Sequence, residues 1–61
     1  MKELKIMFKN SRRAEYKQSK KEYDSWHYDG NAIIIKKDDN LVAIYNLDSI
    51  IGACEYDVKE D

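Results

Sequence analysis

From Glu3 to Lys9 the chain alternates: Leu4, Ile6 and Phe8 fall on one side, and Glu3, Lys5, Met7 and Lys9 on the other. A period of two over this length predicts a half-buried β-strand. Asn10-Ser11 supplies turn chemistry after it. The stretch from Asn31 to Asp57 is richer in apolar residues. Ala32-Ile33-Ile34-Ile35, Leu41-Val42-Ala43-Ile44-Tyr45 and Ile50-Ile51-Gly52-Ala53-Cys54-Glu55-Tyr56 are separated by the polar runs 36–40 and 46–49. These segments predict an antiparallel three-stranded meander. Ser25-Trp26-His27-Tyr28-Asp29 adds a short strand that turns back through Asp29-Gly30-Asn31. Asp39-Asn40 is the expected left-handed tip of the next hairpin. Asn46-Leu47-Asp48-Ser49 is too short for a strand and reads as one helical turn capped by Asn46.

The faces of these strands define an expected core of Leu4, Ile6, Phe8, Ile33, Ile35, Val42, Ile44, Leu47, Ile50, Cys54 and Tyr56. In the last strand Ile50, Gly52, Cys54 and Tyr56 share a face, and Gly52 marks a bulge or a bend. Cys54 is therefore expected to be a buried, inert thiol. Ala32–Ile35 and Leu41–Tyr45 are apolar on both faces, and one core takes only one face of each. Ile34, Leu41 and Tyr45 then need cover, from residues 12–24 or from a second copy. A homodimer is the expectation.

Residues 12–24 carry no clear period. A helix over residues 12–23 is one reading, capped by Ser11, with Tyr16 and Tyr23 on one face. Its apolar stripe is only Ala14 and the two tyrosines, narrow for a docked helix. The other reading is a long loop or irregular hairpin. The expected fold is thus mainly β, a small curled antiparallel sheet or barrel of about five strands with a helical turn near residues 47–49. The alternative is α+β, with the helix over residues 12–23 packed on one sheet face.

The chain has 61 residues, which predicts one domain over 1–61. A domain this short buries only about 60% of the surface its unfolded chain exposes. A lone cysteine excludes an intrachain disulfide and suits a reducing cytoplasm. The charged start of the chain is unlike a signal peptide, and no apolar run has the length of a membrane span. A cytoplasmic protein with no membrane association is expected. The net charge of −1 conceals an asymmetry. Residues 1–23 hold eight Lys or Arg and three Glu, whereas residues 24–61 hold three Lys and nine Asp or Glu. Either the two halves neutralise each other in the fold, or the basic half meets an acidic partner.

Catalytic constellations are missing from the pattern. His27 is the only histidine, and Cys54 lies far from it in sequence. Asp38-Asp39-Asn40 is followed by Val42 and Ile44 where calcium ligands would be needed. The two glycines are too far apart for a phosphate loop. The expectation is a non-enzyme with no cofactor and no metal.

The strand order, with a long connection after the first strand and one helical turn before the last, resembles an SH3-like small barrel. The resemblance is topological and spans nearly the whole chain. The Ala-Leu-Tyr-Asp-Tyr-like run of peptide-binding SH3 domains has no counterpart, and the chain has no Pro. Binding of Pro-rich peptides is therefore not implied. The composition, rich in Lys, Ile, Asn and Asp and without Thr or Pro, is similar to small phage or prophage proteins of low-GC Gram-positive bacteria. That similarity implies a cytoplasmic accessory protein acting by binding, for example on a host protein.

The richest functional signal runs from Arg12 to Tyr28. Arg12, Arg13, Lys17 and Lys20 are interleaved with Tyr16, Tyr23, Trp26 and Tyr28. Aromatic and arginine residues concentrate at protein interfaces. Single-strand nucleic-acid binders also combine cations with stacking rings. Alternatively, the rings close the core and the cations solvate a loop. Glu15, Glu22, Asp24 and Asp29 dilute the positive field and favour a protein partner. The sequence thus predicts a protein-binding module using these eight residues, with nucleic-acid binding through residues 12–28 as the alternative.

Overall fold

The structure, a computed structural model, describes residues 1–59. Strands β1 (Lys2–Phe8) and β2 (Arg13–Lys17) lead to a 3-10 turn, Gln18–Lys20. Strands β3 (Ser25–Asp29), β4 (Ala32–Lys37) and β5 (Asn40–Asn46) follow, then a 3-10 turn, Leu47–Ser49, and β6 (Ile50–Asp57). They form two antiparallel three-stranded sheets, β2-β1-β6 and β3-β4-β5. The chain passes from the first sheet to the second after β2 and returns after β5, each time through a 3-10 turn. The fold is mainly β, but its six strands stay in two sheets and do not close into an SH3-like barrel.

No helix forms over residues 12–23. Ala14 and Tyr16 alternate with Arg13, Glu15 and Lys17, and β2 pairs with β1 from Glu3↔Lys17 to Met7↔Arg13. Outward charges mask that alternation in the sequence. Ser11 does not cap a helix; it sits at φ 70° in the β1–β2 turn. The Asn10 side chain accepts the Arg12 amide at 3.0 Å, an Asx turn that starts β2.

The other turns follow local chemistry. Gly30 supplies the positive φ, 59°, of the two-residue β3–β4 turn. Asp38 and Asp39, at φ 51° and 64°, make the β4–β5 turn, one residue earlier than Asp39-Asn40. Positive φ at both central residues matches the twist of the hairpin they join. Asn46 caps the second 3-10 turn as expected, accepting the Asp48 amide at 2.8 Å.

The core lies between the sheets. Leu4, Ile6, Ile33, Ile35 and Tyr23 are fully buried. Phe8, Ala14, Tyr16, Trp26, Ala43, Tyr45, Leu47, Ile50 and Ala53 pack around them. Val42, Ile44, Cys54 and Tyr56, expected inside, are exposed. Two register irregularities cause this. Opposite Ile35 and Lys36, the partners on β5 are Ala43 and Leu41, so Val42 is an extra residue. Opposite Met7 and Phe8, the partners on β6 are Gly52 and Ile50, so Ile51 is extra. Each bulge reverses the parity of its strand. Ala43 and Tyr45 turn inward on β5, and Ala53 and Glu55 on β6. The Tyr45 ring meets Phe8 edge-on at 5.1 Å, and its hydroxyl pairs with that of Tyr16.

These face assignments are open to test. Ile33→Ala should cost about 2–5 kcal/mol, because it empties a fully buried site. Ile51→Ala, at a residue 69% exposed, should change stability by no more than about 0.5 kcal/mol. Urea melts of the two variants should differ accordingly; equal losses would mean that the β6 face is wrongly placed.

Candidate interaction surface

Glu55 stands on the inner face of β6, paired with Leu4, where an apolar residue would be ordinary. It is held there by Trp26 of β3, by Tyr23 from the loop before β3 and by Lys2 of β1. Its Oε2 accepts the Tyr23 hydroxyl at 2.9 Å and the Trp26 indole N–H at 3.0 Å. The Lys2 ammonium lies 3.6 Å from its Oε1. Tyr23 is 1% exposed and also meets Tyr16 edge-on at 6.4 Å. Hydrogen bonds to an ionised acceptor are roughly twice as strong as neutral ones. One carboxylate therefore ties β6 to β3 and to the loop before it.

Above this tie is a cavity of about 350 Å³ lined by Lys2, Gln18, Asp24, Ser25, Trp26 and Glu55. Its polar groups are largely engaged with one another. Gln18 accepts the Lys2 amide at 3.0 Å, and Asp24 accepts the Asp38 amide at 2.8 Å. Among the described residues, no three His, Cys, Asp or Glu side chains group as metal ligands.

The eight sequence-predicted residues do not form one surface. Arg12 and Arg13 are exposed at the β1–β2 turn. Lys17 and Lys20 lie at the other end of β2, with Arg13 and Lys17 about 13 Å apart at the strand rise. Glu15 stands between them and pairs with Lys5 at 3.7 Å. Tyr16, Tyr23 and Trp26 serve the core and the Glu55 tie. Tyr23 in particular cannot offer its ring to a partner, because the ring is buried. Tyr28 is 59% exposed at the open edge of β3, edge-on to Trp26 at 5.5 Å.

The outward faces of the two sheets differ sharply. On the first sheet the rows are Lys17–Glu3–Tyr56, Glu15–Lys5–Cys54 and Arg13–Met7–Gly52. Opposite charges stand beside each other there, with the exposed Met7 and Tyr56 among them. On the second sheet the rows are Asp29–Ala32–Asn46, His27–Ile34–Ile44 and Ser25–Lys36–Leu41. Ile44 is 56% exposed and Leu41 is 57% exposed. The apolar excess noted at Ile34 and Leu41 is therefore left outside, with Ile44 in the place expected for Tyr45. Residues 12–24 do not cover it. The signal that could have located this patch is the inward preference of Tyr45, whose hydroxyl needs the partner that Tyr16 supplies.

Comparison with known proteins finds no matching family, no similar characterised protein and no similar solved structure. No helix among the described residues is long and apolar enough to cross a membrane.

Two outcomes follow from the Glu55 tie. Glu55→Ala strands the buried Tyr23 hydroxyl and should cost about 1–3 kcal/mol, more than Tyr23→Phe, which leaves Glu55 with two partners. Chemical denaturation of both variants tests the order; a costlier Tyr23→Phe would contradict it. Burial, then the hydrogen bonds to Glu55 and Tyr45, raises the Tyr23 and Tyr16 hydroxyls well above their ordinary 10. The unfolded chain then loses these protons first as pH rises. The stability these two groups contribute is therefore intact below about pH 10 and is lost from there upward. Tyr16→Phe together with Tyr23→Phe should flatten that alkaline fall in a stability–pH profile; an unchanged slope would reject the assignment.

Proposed function

We propose that this chain is a small protein-binding module that works by contact and not by catalysis. The contrast between the two outward sheet faces supports this reading. Both are three strands wide and three rows deep; the first sets its exposed Met7 and Tyr56 among five charged side chains, whereas the second groups Ile34, Ile44 and Leu41 with only Asp29 and Lys36 beside them. A contiguous apolar patch costs solubility unless something covers it, and on small proteins such patches are often functional. Tyr28, Arg12, Arg13 and Lys20 are exposed and able to add contacts outside the patch. Similarity of composition to phage accessory proteins fits the same reading, with a host protein as the partner.

The nucleic-acid alternative has less support. The cations of residues 12–28 stand at two ends of β2, and Glu15 and Glu22 are interleaved with them. Trp26, the best stacking ring, donates to Glu55. Phosphates approaching it would meet that carboxylate.

Capture on immobilised protein from a lysate of the native host, with and without nuclease, tests the choice. The expected result is a protein retained after nuclease and lost with Ile44→Lys. Capture that disappears with nuclease would favour the alternative. So would oligonucleotide binding whose salt slope is about −0.7 per phosphate contact.

A further inference from the structure

We infer that the outward face of β3-β4-β5 docks on the same face of a second copy of this chain. The inference rests on the protein-binding reading and takes a second copy, in place of a host protein, as the partner at this face. The placement of charge on the patch is self-complementary. Its central row is His27–Ile34–Ile44, its one cation is Lys36 at one end, and its one carboxylate is Asp29 at the other. A twofold axis lying across the strands places the Lys36 end of each copy over the Asp29 end of its mate. Lys36 then sits over Ala32, one strand away from Asp29. The central row falls on itself, so Ile34 meets Ile34 and Ile44 meets Ile44. An axis along the strands would instead set Lys36 against Lys36, and like charges disfavour that arrangement. Such an isologous pairing is the commonest form of self-association.

The other outward face cannot pair as well. Its rows set Lys17, Glu3, Glu15, Lys5 and Arg13 around the exposed Met7 and Tyr56, and all five charges would lose water on docking. Edge-to-edge pairing of β5 is also hindered, because the Val42 bulge interrupts the ladder. Three strands by three rows cover roughly 300 Å² at standard spacings. A standard stable interface buries about 800 Å² on each partner. The dimer is therefore weak.

Sedimentation equilibrium of the full chain, from micromolar to millimolar concentration, tests this. The mass should rise from 7.2 kDa toward twice that value. Ile44→Lys and Leu41→Lys should each lower the association constant by about tenfold or more, equivalent to about 1.4 kcal/mol. Ile51→Lys, an equally drastic change on the first sheet, should leave it unaltered. Lys36→Asp and Asp29→Lys should weaken association singly and restore it together. Circular dichroism confirms that each variant remains folded. A wild-type mass fixed at one chain to millimolar concentration overturns the inference. So does association insensitive to Ile44→Lys and Leu41→Lys. In either case the capture experiment decides the protein-binding reading separately, through its own Ile44→Lys comparison.

Discussion

Among the described residues, five fully buried side chains hold two three-stranded sheets together, and each sheet can give that core only one of its faces. Most other features of the molecule follow from this constraint. On the first sheet the surplus face is mostly charged, with Met7 and Tyr56 exposed among the charges. On the second sheet β4 and β5 are apolar on both sides, so one apolar face is left over. The bulges at Val42 and Ile51 decide which residues are left. They turn Tyr45 and Ala53 inward and leave Ile44 and Cys54 outside. Tyr45 gains more by going in than Ile44 would, because Phe8 receives its ring and Tyr16 its hydroxyl.

With so few buried side chains, polar contacts between the sheets carry unusual weight. Glu55 is the chief of these. An ionised carboxylate between the sheets is costly unless its lone pairs are satisfied. Tyr23, Trp26 and Lys2 meet that requirement from three separate parts of the chain. The tie explains why aromatic residues in a polar stretch are not all contact residues. Tyr23 and Trp26 are occupied in closing the molecule, whereas Tyr28, two residues beyond Trp26, lies past the reach of β6 and stays open to solvent.

Much of the fold was legible in local pattern. The alternation of β1, the Asp29-Gly30-Asn31 turn and the Asn46 cap are short-range features, set by residues a few positions apart. β2 was harder, because Arg13, Glu15 and Lys17 hide the two inward positions between them. The bulges leave almost no mark in the sequence; Gly52 hints at one, and nothing near Val42 hints at the other. The expected buried Cys54 failed for this reason alone. The candidate site was legible only in outline. Apolar surplus at Ile34 and Leu41 could be counted from the strands, but its position depends on the parity of β5. The burial of Tyr23 depends on Glu55, 32 residues away, and no local pattern states that pairing.

We propose that the outward face of the second sheet docks on its own copy and that of the first does not. Backbone amide NMR spectra recorded from micromolar to millimolar concentration test it most directly. The account predicts concentration-dependent shifts gathered on Asp29, Ala32, Ile34, Lys36, Leu41 and Ile44, with Glu3, Lys5 and Glu15 unmoved. Shifts gathered on Glu3, Lys5 and Glu15, or spectra unchanged throughout, would contradict it.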